Sequence, residues 1–420
     1  MARARPWLLA LIFTFATGCV LERSGTRQDA GLNLPVDAGP GDAGLGDAGP
    51  GDASVEVDAG PMREDAGRED AGVLGITQVA AGGDATCALR SDGVVLCWGH
   101  DDLGQLGDGT AGGNRFTPMP VSLPDRAVAI ALGDSHACAI VMGGELYCWG
   151  ANDDGQVGNG GAVDIVPSPV HVASRTATVA VGGAHTCLLD FDGTLFCWGA
   201  NGQGQLGFAG SGRSAPERVD LMGVVAPISL GQDFTCARMS DSTVRCWGLN
   251  TDRQLGDGTN TSRPTPETVH LIDDAISIGL GWKHACAIRA MELACWGRGN
   301  DGRLGDGGAT TRSEPSMVVD VHEAVAIRGG EDFSCARQAS GDVYCWGRDD
   351  HDQIANGGRS SNVPVAMSFI PGPADDLALG RGHGCVIVAG AVWCWGDNDQ
   401  GQLGSDSASS PAPLRVDGLL

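Results

Sequence analysis

The chain carries one phrase seven times: a cysteine, a short hairpin-like stretch, then Cys-Trp-Gly. The copies run Cys87 to Gly99, Cys138 to Gly150, Cys187 to Gly199, Cys236 to Gly248, Cys286 to Gly297, Cys335 to Gly347 and Cys385 to Gly396. Their tryptophans, Trp98, Trp149, Trp198, Trp247, Trp296, Trp346 and Trp395, are separated by 51, 49, 49, 49, 50 and 49 residues. A strand-rich, Gly-punctuated unit of about 50 residues cannot bury its apolar face alone, so each copy must lean on its neighbours. This period predicts an all-β fold, a seven-bladed β-propeller of four-stranded blades, closed over residues 76–420.

The second copy shows the blade. Ala127 to Ala131 reads as a first strand, a turn at Gly133-Asp134 leads into a strand with Cys138, and Gly143-Gly144 turns the chain into a third strand with Cys148-Trp149. A loop with Asn152 and Gly155-Gln156-Val157-Gly158 follows, then an edge segment around Pro169. In five copies the cysteines are ten residues apart and a three-residue turn, Ser91-Asp92-Gly93 in the first, sets them opposite each other. In the fifth and seventh the spacing falls to nine, and the missing residue comes from the turn itself, at Ala290-Met291 and Ala389-Gly390. Facing cysteines survive the change of loop length, so seven intra-blade disulfides are expected: Cys87 with Cys97, Cys138 with Cys148, Cys187 with Cys197, Cys236 with Cys246, Cys286 with Cys295, Cys335 with Cys345 and Cys385 with Cys394. The first copy lacks a Pro-x-x-Val edge before Ile76 and the chain ends with one at Pro413 to Val416, so the C-terminus is expected to complete the first blade.

Those pairs use 14 of the 15 cysteines and leave Cys19. Ahead of it stand Arg3, Arg5 and an apolar run from Trp7 to Ala16, too short to span a bilayer and shaped like an export signal. Ala16-Thr17-Gly18-Cys19 resembles the lipobox of bacterial lipoproteins, although Leu is usual where Ala16 stands. That resemblance implies a signal peptide over 1–18, lipidation of Cys19, and an exported chain anchored in a bacterial cell envelope by its N-terminal lipid alone. Residues 19–75 repeat Asp-Ala-Gly without a hydrophobic period and read as a disordered acidic tether, roughly 40 Å from end to end as a flexible coil.

The net charge is −25, and residues 76–420 alone hold 40 acidic and 21 basic residues. Lys283 is the only lysine, so a nucleic-acid surface, which needs clustered cations, is excluded. A zinc site fits poorly, because each cysteine pair stands alone and tetrahedral zinc needs four ligands. Four copies place a His two residues before the first Cys (His136, His185, His284, His383), but the others have Ala85, Phe234 and Phe333, so a hydrogen-bonded core position is expected. Each Trp beside a Cys points to the opposite face of its strand and is expected to pack between blades.

The phrases Gly-x-x-His-x-Cys, Asp-Gly-x-x-x-Cys-Trp-Gly, Asn-x-x-Gly-Gln-Leu-Gly and Pro-x-x-Val resemble the repeats of the regulator of chromosome condensation family, also called alpha-tubulin suppressor-like repeats. Gly104-Gln105-Leu106-Gly107-Asp108-Gly109-Thr110 is the nearest copy, and Asp352-Gln353-Ile354-Ala355 departs most. The resemblance implies the propeller. The functions it brings diverge, from guanine-nucleotide exchange on a small GTPase to inhibition of secreted β-lactamases, and nothing matches an exchange site residue by residue. An exported, disulfide-bonded chain would not meet a cytosolic GTPase.

No catalytic residues are found. Asp192-Gly193-Thr194 faintly resembles the Asp-box of sialidases, the basis of an alternative reading as a propeller enzyme acting on extracellular glycans, but Tyr147 and Tyr344 both sit at packing positions. There is no nucleophile elbow, His-Glu-x-x-His or phosphate loop. The Gly-Asp-Gly turns at Asp108, Asp257 and Asp306 lack the alternating carboxylates of a calcium loop, so Asx turns are expected and no metal or cofactor. The loops after each Trp-Gly leave one face of the ring and carry Asp101, Asp102, Asp153, Asp154, Asp252, Asp349, Asp350, Asp352, Asp397 and Asp399. They are expected to be exposed, to form an acidic rim suited to a basic protein patch, and to tolerate Asn at 349, 350 and 352. The expected protein is a monomeric, non-enzymatic interaction scaffold with an unknown protein partner.

Overall fold

The computed structural model describes residues 74–161, 163–290 and 292–420; the signal peptide expected over 1–18, Cys19 and all but the last two residues of the tether expected over 19–75 lie outside them. Within them the chain forms seven four-stranded antiparallel sheets, each built from four consecutive strands. The first blade comprises Ile76–Gly82, Ala85–Arg90, Val95–Gly99 and Arg115–Pro120, and the seventh Asp376–Leu379, His383–Val388, Ala391–Gly396 and Ser410–Arg415. Every blade runs from inner to outer edge in chain order, so the expected completion of the first blade by the C-terminus is overturned. The segment at Pro413 is the outer strand of the seventh blade, where Trp393 pairs with Arg415, and the first blade has its own outer strand around Pro118 and Pro120. Each Pro-x-x-Val segment belongs to the blade before it, so none is spare.

Closure is made by side chains and by a ring of turns. Seven apolar clusters each draw on two neighbouring blades. In the closing one Val416 and Leu419 pack with Ile76, Leu96 and Trp98, which is the contact expected between the C-terminus and the first blade. The Arg381 amide also donates to the Gly83 carbonyl at 2.7 Å, joining the last inner turn to the first.

The cysteines face each other in every blade, including the two with nine-residue spacing. All seven disulfides are formed, with Cα atoms 4.0 to 4.2 Å apart. The disulfide of one blade and the Trp of the next share an interface, as Cys87–Cys97 and Trp149 do. Each Trp is fully buried and donates its indole N–H to a carbonyl in the loop of the preceding blade, from Trp149 to Gln105 at 3.0 Å around to Trp98 and Gln402 at 2.9 Å. This explains why Cys-Trp-Gly and Gly-Gln-Leu-Gly repeat together: one motif is the socket of the other. A Cβ on Gly107 would lie 2.6 Å from Trp149 Nε1, so the last glycine of that phrase is a steric requirement. Gly99 has φ of +105°, and a Cβ there would meet the Asp84 carbonyl at 2.4 Å.

The four histidines are buried, and each reaches a hydroxyl in the next blade: His136 with Thr186, His185 with Thr235, His284 with Ser334 and His383 with Thr86, at 2.7 to 2.9 Å. Each hydroxyl spends its proton on the carbonyl that also receives the Trp indole, so the imidazole Nε2–H is the donor. Where His is absent so is the hydroxyl: Ala85, Phe234 and Phe333 stand in blades followed by Ala137, Ala285 and Gly384. Burial pulls His136, His185 and His284 down to about 3 and His383 to about 4, so all four are neutral at physiological pH.

Candidate functional site: an acidic face around the channel mouth

The turn between the inner two strands and the loop after Trp-Gly lie on one face, where the His100 amide donates to Asp84 O and the Arg348 amide to Asp332 O. The inner turns surround the axis. Their second residues run Gly83, Asp134, Gly183, Gln232, Trp282, Glu331 and Arg381, and most are stitched to the next blade through backbone hydrogen bonds. Arg381 donates to Glu331 at 3.0 Å, lies 3.8 Å from Asp84, and holds its guanidinium 5.7 Å from the Trp282 ring centre. Four blades therefore meet in one charged and aromatic cluster. Asp134, from the second blade, is pushed up to about 7, chiefly by desolvation and next by the charge of Glu331, while the Trp282 indole partly counters this. The residue is half-buried.

Beside this cluster is a cavity of about 300 Å³ between the sixth, seventh and first blades. Its wall carries Asp84, Glu331, Asp332, Asp350, Asp397 and Asp399 against Arg348 and Arg381. Both arginines are already engaged, Arg348 with Asp332 and Asp350, and Arg381 with Glu331. The cavity thus presents a surplus of carboxylate to anything that enters.

Of the ten rim aspartates, Asp102, Asp153, Asp154, Asp350 and Asp399 are exposed, and Asp252, Asp352 and Asp397 are half-buried. The expected exposure of Asp101 and Asp349 is overturned: both are fully buried. They occupy the position of Asn152, Asn201, Asn250 and Asn398, whose Oδ1 accepts the amide five residues on and pins the loop. Asp349 keeps that bond to Ile354, and its other oxygen accepts from the amides of Asn356, Gly358 and Arg359 at 2.9, 3.0 and 3.2 Å. Asn at 349 would aim an N–H₂ at three N–H groups, so it belongs to the fold and not to the rim.

Sequence reasoning missed the inner turns, chiefly Asp84, Asp134, Trp282, Glu331 and Arg381. For all of these but Asp84, which stands one residue later, the signal was the position after Gly in Gly-x-x-His, which changes size and charge in nearly every blade. The fifth blade also replaces the loop glutamine by Arg303, whose side chain is fully buried and ion-paired with Asp332 of the next blade and, at 3.2 Å, with Asp301. Asp332→Asn should leave that guanidinium short of a counter-charge. Chemical denaturation should show a loss of about 3 kcal/mol, the low end for a broken buried pair because Asp301 remains.

Residues 38–383 match the profile of the RCC1-like domain, and the chain belongs to that family. Over 92 residues it is 41% identical to the ultraviolet-B receptor UVR8 of Arabidopsis thaliana, which is 21% of either protein. Over 86 residues it is 34% identical to the regulator of chromosome condensation of Mus musculus, 20% of either. The chain thus matches about a fifth of the length of these relatives. Among solved structures, Prp20p of Saccharomyces cerevisiae superposes with a TM-score of 0.66 at 24% identity, over 73% of this chain and 80% of that one. Human WBSCR16 gives 0.71 at 21% identity, over 78% and 95%. Both likenesses are of fold.

Proposed function

We propose that this RCC1-like propeller is a non-enzymatic protein-interaction scaffold, exported and held at a bacterial cell envelope by a lipid on Cys19, and that its acidic face takes a basic patch of a partner protein. The observation that carries the reading is the cavity at the channel mouth, where six carboxylates face two arginines that are already paired. A complementary patch would be steered toward that face and desolvated in the cavity. The seven buried disulfides support an oxidising compartment. Prp20p, which shares the fold, is described with binding to Gsp1p and histones, a precedent for protein partners on this architecture. The carboxylates of the cavity stand among ion pairs and not in an apolar pocket, which argues against an acid-base enzyme.

A photo-crosslinking residue at Asp399, compared in the native envelope with one at Phe191 on the opposite face, tests the assignment. The expected result is a partner adduct from position 399 and none from 191, with Cys19→Ser releasing the chain from the membrane fraction. Adducts from position 191 alone, or membrane association that ignores Cys19→Ser, would contradict the reading.

A further inference from the structure

The face opposite the acidic one is built from the tips of the disulfide-bearing hairpins and from the linkers that carry the chain from one blade's outer strand to the next blade's inner strand. Tips and linkers form one surface, since the Thr176 amide donates to Gly144 O at 2.8 Å, and the Ala275 and Ala374 amides to Ser242 O and Gly341 O at 2.9 Å. Most of the exposed large apolar side chains among the described residues stand here. Met142 and Phe191 sit at hairpin tips, and Met222, Leu271 and Phe369 in linkers, all 54% to 73% exposed. Val128, Ile276 and Val325, at the starts of inner strands, extend the apolar surface to the rim of the channel. Leu103 and Val163 alone lie in the loops of the acidic face, and outer strands hold the remainder. The chain also enters the ring on the apolar side. Gly75 O accepts from the Ser91 amide and the Ile76 amide donates to Gly390 O, each at 2.9 Å, so Leu74 lies beside the hairpin tips of the first and seventh blades.

We propose that this hairpin face docks on the surface of a zwitterionic lipid bilayer, with Phe191, Met222, Leu271 and Phe369 entering the headgroup boundary and the acidic face turned outward. Equivalent tips of one ring lie at one level, so apolar side chains spread over successive blades meet a flat interface together, whereas a protein partner would need them gathered in one patch. Asp125, Asp192 and Asp273 are exposed among them, so neutral headgroups suit the face and anionic ones repel it. The contact is shallow and weak by itself. The proposal therefore rests on the lipid anchor at Cys19 for the concentration it supplies: a tether such as residues 19–75 predict, roughly 40 Å from end to end as a coil, ends at this face and holds it near the bilayer at about millimolar effective concentration.

Crosslinking to lipid reads which face touches the bilayer. A benzophenone amino acid is placed at position 191, 369, 102 or 399 of the full chain, which is reconstituted in phosphatidylcholine vesicles with Cys19 intact and, in parallel, mixed with them as Cys19→Ser. Mass measurement should find lipid adducts from 191 and 369 and none from 102 and 399. Met222→Ser, Leu271→Ser and Phe369→Ser together should lower the adducts from 191 about tenfold while Tm stays unchanged. Adding phosphatidylglycerol should also lower them and salt restore them, the reverse of the salt dependence expected of the acidic face. Adducts from 191 and 369 that persist in Cys19→Ser would remove the anchor and keep the docking face. A chain that floats with the vesicles through Cys19 yet gives no adduct from 191 or 369, or equal adducts from all four positions, would overturn the docking and leave the anchor standing. A chain that neither floats nor crosslinks would overturn both.

Discussion

Reduction should unfold this propeller once the sulfurs are exposed, and it should be slow while they are not. All 14 propeller cysteines are buried, so a thiol reductant reaches them chiefly through opened blades. Each bridge closes a loop of about eleven residues, worth at most about 3 kcal/mol by loop entropy. Seven of them rival or exceed the 5 to 15 kcal/mol by which domains are ordinarily stable. Intact-mass measurement after alkylation without reduction should show none of the 14 modified. After reduction in denaturant and its removal without oxidant, circular dichroism should show failure to refold. Several free thiols in the native protein, or a reduced chain that refolds with an unchanged Tm, would contradict this.

Acid should destabilise the ring through the four interblade histidines. Each has a folded pKa of about 3 or 4, well below its unfolded value near 6.5, so the unfolded chain takes up protons that the folded one refuses. Their contribution is intact above pH 6.5 and is lost as pH falls toward 4, by about 1.4 kcal/mol per pH unit for each histidine and about 5 for all four. The protein supplies the replacement, since Phe234 above Ala285 and Phe333 above Gly384 fill the same interface without a proton. Converting the four His–Thr/Ser pairs to Phe–Ala should flatten the acid limb of unfolding free energy against pH by that slope, while single His→Phe variants that strand a hydroxyl should cost more than the paired change. An acid limb unaltered in the paired variant would place the sensitivity elsewhere.

The ring was legible in the sequence because seven equally spaced tryptophans leave no other arrangement, and the disulfides because the spacing and the turn shorten together. The histidine partners were not, since each lies in the next blade, 50 residues on, or 297 back for Thr86, and a single copy of the phrase does not hold both. The phase of closure was misread because Pro-x-x-Val looks like the start of a copy when it is the end of one. Asp101 and Asp349 were placed on the rim by residue type alone; set beside Asn152 and Asn250 they are anchors. The channel mouth was hidden for the opposite reason: Trp282, Glu331 and Arg381 occupy the position that does not repeat, and a reading built on repetition discards it.

The central claim is that the acidic face recognises its partner electrostatically, and the association rate constant of the crosslinked partner, purified, tests it most directly. It is measured against salt for the wild type and for Asp102, Asp350 and Asp399 replaced together by Asn, a change at three exposed sites that leaves the anchors Asp101 and Asp349 intact. The account predicts an on-rate lower by about tenfold in the variant at low salt, with the dissociation rate little changed. The two should converge by about 0.5 M salt, where the screening length falls to a few ångströms. Equal on-rates in both proteins at every ionic strength would contradict it and place recognition elsewhere on the ring.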